Sequence, residues 1–188
     1  MDKLYMILLC LMIVPILICI KYSRRTKSDV ASSIVKCLIF TIVTILSNGL
    51  SAFSGNETFS YIMEALYRFS FDLMLIYVLQ YSQQYTRVFH EVSPFKKGCF
   101  IIAYLDGILL FLNIIFHNVF TIETVRFPNF DMYHVADKSI IFYFHYVFAY
   151  GLVFCIIASF IIKIIQIPDF YRKKYLPILV LICVITVS

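Results

Sequence analysis

The sequence predicts an all-α fold: a polytopic transmembrane helix bundle with five full helices and a partial sixth. Three observations carry that reading. The 188 residues are 62% hydrophobic and only 14% charged, with a mean hydropathy of +0.89, whereas soluble domains sit nearer half apolar and a quarter charged. The apolar residues fall into runs of roughly 20, the length that crosses about 30 Å of hydrocarbon. The basic residues lie in short connections between these runs rather than on one patch. That dispersion sets aside nucleic acid as a partner despite the formal charge of +5, and leaves the lipid bilayer as the expected one.

The first run covers residues 4–20, with Pro15 as an expected bend. It opens on Asp2-Lys3, carries its positive run after the apolar stretch, and ends without a small-x-small pattern. It therefore reads as a retained span rather than a cleaved signal peptide. The second run covers 37–53 and the third 59–81. The fourth covers 98–120 and the fifth 140–162, with continuation to about 167. A sixth opens at 176 and is still apolar at residue 188, so the span is expected to be incomplete and the protein longer.

Orientation follows from Lys and Arg. Lys21, Arg24, Arg25 and Lys27 sit in the first connection, Arg87, Lys96 and Lys97 in the third, and Arg172, Lys173 and Lys174 in the fifth. Lys36 and Lys163 mark helix ends on that same side; Lys3, Arg126 and Lys138 are on the other. The basic connections 21–29, 82–97 and 168–175 are therefore expected in the cytoplasm, with the N-terminus outside. On the outer side, Thr121 to Lys138 holds two β-branched and aromatic runs flanking Pro128-Asn129, which predicts a small β-hairpin. Asn56-Glu57-Thr58 in the other outer loop matches a glycosylation sequon, which carries meaning only in a eukaryotic cell. The six cysteines lie in or beside apolar runs without a C-x-x-C pair, so they read as small hydrophobes rather than disulfides or metal ligands.

The third run raises the chemical question. Glu64, Arg68 and Asp72 stand four residues apart, which puts them on one helix face, drifting about 80° over the stripe. Charges cost about 3 kcal/mol each inside a bilayer, so the stripe must face the bundle interior. Arg68 suits either carboxylate through its planar fork. In the fourth run Asp106 lies eight residues from Gly98, while Asp72 lies nine from Tyr81. Counted from the same side, the two carboxylates share a depth on antiparallel helices. His145, six residues into the fifth run, is expected nearer the depth of Glu64 and is a candidate partner for the excess negative charge. Glu64, Arg68, Asp72, Asp106 and His145 are the candidate site, read either as an ion-pair network that fixes packing or as a ligand, ion or proton site. There is no G-x-S-x-G, no H-E-x-x-H, no P-loop, no dinucleotide fingerprint, and no histidine pair at ligand spacing on one helix. No catalytic residue, cofactor or metal is therefore expected within residues 1–188.

The stretch "YRFSFDLMLIYVLQYSQQYT", residues 67–86, carries a resemblance. Its Ser70-x-Asp72 core and polar tail resemble the third helix of the N-terminal seven-transmembrane-helix sensor region of bacterial histidine kinases and diguanylate cyclases. "YRKKYLPILVLI", residues 171–182, resembles that family's basic turn and sixth helix, and "KYSRRTKSD", residues 21–29, its first inner loop. The resemblance implies a sensory input module in a bacterial plasma membrane. It implies that a stimulus, such as a small-molecule ligand, shifts the helices, and that the last helix passes the change to a cytoplasmic output domain, often through a homodimer. That output would be a diguanylate cyclase first and a histidine kinase second. A small ion-coupled transporter using the charged cluster is the alternative, although the Gly- or Pro-broken repeat helices of such carriers are not evident.

Overall fold

A computed structural model of the chain describes residues 2–53, 56–87, 93–127 and 130–168. The order is α1 (Asp2–Ser23), α2 (Asp29–Phe53), α3 (Glu57–Thr86), α4 (Ser93–Phe116), β1 (Phe120–Phe127), β2 (Phe130–Lys138) and α5 (Ile140–Gln166). The expected sixth span and nearly all of the connection 168–175 lie outside the described residues.

Helix ends follow local capping chemistry rather than the edges of the apolar runs. The Ser28 hydroxyl accepts from the Ala31 N–H at 3.1 Å and Asp29 follows in the first turn, so α2 starts eight residues before the expected 37. Asn56 caps α3: its side-chain oxygen accepts from the Phe59 N–H at 3.2 Å. Arg87, at φ 56°, closes α3 with its N–H on the Gln83 carbonyl at 2.8 Å. The fourth span needs a correction. It was expected to reach residue 120, yet α4 ends at Phe116 and Phe120 already belongs to β1. His117 turns left-handed at φ 49° and donates its N–H to the Asn113 carbonyl, and the Asn113 side chain then takes over the chain beyond.

The predicted hairpin forms. β1 and β2 pair antiparallel, from Phe127 opposite Phe130 to Phe120 opposite Lys138. A bulge between Phe120 and Ile122 shifts the register, and there the Asp137 N–H donates to the Thr121 hydroxyl at 3.1 Å. Phe120 and Ile122 turn their side chains into the core, and the Ile122 N–H donates to the Tyr61 hydroxyl at 3.0 Å. The hairpin thus rests on the N-terminal end of α3.

Three helices are long and apolar enough to cross a membrane: 29–51, 94–116 and 140–166. Their outward faces, with Ile101, Leu105, Ile108, Val147, Phe154 and Ile165 exposed, form an apolar surface that water would not tolerate over such an area. These faces make the chain a membrane protein. α3, too charged to join that set, is the hub, packing against α2, α4 and α5. Its contact with α2 is the most extensive between helices. Small polar residues let the two backbones approach and stitch them antiparallel. Ser33 donates to Gln84 at 2.8 Å near one end, Thr44 and Ser70 share a hydrogen bond at 3.0 Å midway, and Ser60 donates to the Ser51 carbonyl at 2.7 Å near the other.

Two apolar clusters fill the interior. One gathers Leu73, Ile76, Leu79, Ala103, Leu152, Ile156 and Phe160; the other, under the hairpin, gathers Tyr61, Ala65, Leu110, Val119, Phe120, Ile122 and Phe142. On α4, Gly107 allows close packing: a Cβ there would stand 2.5 Å from Cδ2 of Phe69. Gly107→Ala is therefore expected to lower stability by about 1–3 kcal/mol through overpacking. Thermal unfolding in detergent reads the effect, and an unchanged midpoint would contradict the packing described.

Candidate functional site

Between the two apolar clusters lies a polar layer. On α3 it falls between Ala65 and Leu73, on α4 between Ala103 and Leu110, and on α5 between Phe142 and Ala149. It holds Arg68, Asp72, Asp106 and His145, all buried, with Glu64 beside it.

The stripe on α3 divides into two groups. Glu64 and Arg68 pair along the helix, and Ser51 of α2 donates to the other Glu64 oxygen at 3.2 Å. The Arg68 guanidinium carbon stands 4.3 Å from the centre of the Phe142 ring, with the rings of Tyr67, Phe120 and Tyr146 within 6 Å. Cation–π attraction strengthens when the cation is desolvated, as here. Of the two carboxylates within reach of Arg68 along the stripe, its ion pair is with Glu64. The reason is rotational. Asp72 is a full turn further on and faces α4 and α5.

There Asp72 meets Asp106 and His145. His145 Nδ1 stands 2.8 Å from Asp106 Oδ2 and 3.3 Å from Asp72 Oδ2. One potential ligand atom from each residue lies within 4.8 Å of the others. The shared depth expected for Asp72 and Asp106 places them in one group. His145, expected near Glu64 in depth, instead joins these two. The Asp106 contact is a hydrogen bond, whereas at Asp72 neither carboxylate oxygen has a hydrogen-bond partner among the described residues, although the side chain is fully buried. The Asp72–His145 contact is therefore an ion-pair distance without hydrogen-bond alignment.

Asn113 was missed in the sequence. It is fully buried on α4, donates from Nδ2 to the Phe120 carbonyl at 2.9 Å, and accepts at Oδ1 from the N–H groups of Val119 and Phe120 at 2.7 and 3.3 Å. Its signal was present: an amide inside an apolar run, seven residues after Asp106 and so on the same face. Phe142, three residues before His145, was equally unremarked, because nothing in an aromatic-rich run distinguishes the ring that receives the guanidinium.

Fold and site together define a membrane protein with a charged layer buried between apolar clusters. Comparison with protein-family models and with curated proteins finds no match.

Proposed function

We propose that the chain is a membrane-embedded sensory input module of a bacterial signalling protein. It sits in the plasma membrane with its N-terminus outside and its basic connections in the cytoplasm. It relays a stimulus by helix rearrangement to a cytoplasmic output domain, a diguanylate cyclase in the first instance and a histidine kinase in the second. The resemblance of residues 67–86 motivates the class.

The observation that carries the mechanism is the single imidazole set between two carboxylates on different helices, 2.8 Å from one and 3.3 Å from the other. Such a group has two discrete partners, and exchanging them couples a small tilt of α5 to α3 and α4. A stimulus that favours one arrangement by its differential affinity shifts the population.

The test fuses the full chain to a diguanylate cyclase reporter and measures basal output in cells. Asp106→Asn and His145→Gln are expected to shift output about tenfold, within the lower part of the usual coupling range, at equal membrane abundance. Unchanged output in both variants would overturn the reading. So would cation flux into proteoliposomes carrying the wild-type chain that disappears in Asp72→Asn and Asp106→Asn, since that result belongs to a transporter.

A further inference from the structure

We propose that Asp72, Asp106 and His145 bind one divalent first-row metal cation, of the zinc or manganese kind, through one oxygen of each carboxylate and the imidazole Nδ1. The inference rests on the geometry of these three side chains and stands whether or not the module signals.

Spacing is the first argument. Donors about 2.1 Å from a metal stand roughly 3.0 Å apart at octahedral angles and roughly 3.4 Å apart at tetrahedral ones. The Nδ1 to oxygen distances of 2.8 and 3.3 Å lie within a few tenths of an ångström of those values, so a cation can be captured with little movement of these side chains.

The donor set is the second. Two carboxylates and an imidazole suit zinc, manganese or ferrous iron; calcium prefers six to eight oxygens, and magnesium keeps its waters. Three protein ligands leave coordination positions open for water or another ligand.

The third is the state of Asp72. An Nδ1 proton can serve one carboxylate at a time, and the Nδ1 hydrogen bond is with Asp106, which leaves both buried oxygens of Asp72 without a hydrogen bond among the described residues. A buried carboxylate in that condition calls for a cation. A divalent metal displaces that proton, uses the Nδ1 lone pair, and gives both carboxylates a direct partner.

Charge is the fourth. Glu64 already neutralises Arg68, so the layer's remaining excess is the pair of carboxylates. One divalent cation with a neutral imidazole brings the layer to zero, which a low-dielectric interior favours.

The experiment uses the full chain, purified in detergent, stripped with chelator and dialysed against zinc alone, with magnesium and calcium as comparators. About one zinc per chain is expected, with a rise in thermal midpoint that magnesium and calcium do not produce. Asp72→Asn and His145→Gln are each expected to weaken binding at least about tenfold, whereas His134→Gln on the exposed hairpin leaves it intact. X-ray absorption of the zinc-loaded wild type should show nitrogen and oxygen neighbours and no sulfur, a readout independent of whether the variants fold. Absence of stoichiometric zinc, sulfur in the coordination shell, or binding that survives Asp72→Asn and His145→Gln would each overturn the proposal.

Discussion

Arg68→Ala is expected to cost about 3–5 kcal/mol of stability, the range for breaking a buried pair by removing one partner. Among the described residues, the substitution leaves Glu64 buried with the Ser51 hydroxyl as its remaining side-chain partner. It also removes the cation from the box formed by Phe142, Tyr67, Phe120 and Tyr146, so four rings lose a contact at once. Glu64→Gln should do less damage. The amide still offers an oxygen to Arg68, and the guanidinium keeps its aromatic surroundings. The order Arg68→Ala below Glu64→Gln below wild type, read from melting in detergent and from the yield of folded protein, is the signature of a buried network. Wild-type melting in both variants would show that the pair carries no load.

Asn113→Ala is the second large effect expected. The amide satisfies two N–H groups and one carbonyl of the segment that leaves α4 and enters β1. Each buried backbone group left without a partner costs about 1–3 kcal/mol, so a total loss of roughly 3 kcal/mol or more follows. The loss should be local before it is global. Amide exchange at Val119 to Ile122 is expected to accelerate while the middle of α3 stays protected, because the start of the hairpin then keeps only part of its hydrogen bonding, among it the Tyr61 hydroxyl on the Ile122 N–H and the Ser139 N–H on the Val119 carbonyl. Retained protection at Val119 and Phe120 would rule out the assigned role. Asn113→Asp should behave no better, since it sets a carboxylate oxygen against the Phe120 carbonyl.

Much of this architecture was legible in the sequence, for identifiable reasons. Apolar run length tracks the helices, so the described helices were located but their ends were not, and three of them are long and apolar enough to cross a membrane. α2 and α3 continue past the apolar boundary because Ser28, Asn56 and Arg87 cap them, and a cap is a property of one residue rather than of a window. The end of α4 was misjudged because it depends on a contact between Asn113 and residues six and seven positions on, whose backbone groups show no periodicity. Depth counting grouped Asp72 with Asp106, because rise per residue is constant. It could not divide the stripe, because the division depends on how α3 is rotated against α2, α4 and α5. The rotation follows from the summed packing of Leu73, Ile76, Phe142 and their neighbours. His145 was named as a partner but matched to the wrong depth, since its tilt relative to α3 is likewise a tertiary property.

The two apolar clusters on either side of the polar layer bear on time as well as on stability. A proton or cation reaching Asp72 from one end must pass Leu73, Ile76 and Leu152, and from the other Phe120, Phe142 and Leu110. Exchange through these apolar clusters has to wait for the helices to part, a motion of microseconds or longer. The state of the layer is then set by the opening rate of the bundle rather than by diffusion in the surrounding water. A brief excursion outside leaves it untouched, while a sustained one is recorded. Substitutions that loosen either cluster, such as Leu110→Ala or Ile156→Ala, should shorten that memory without altering any charged residue.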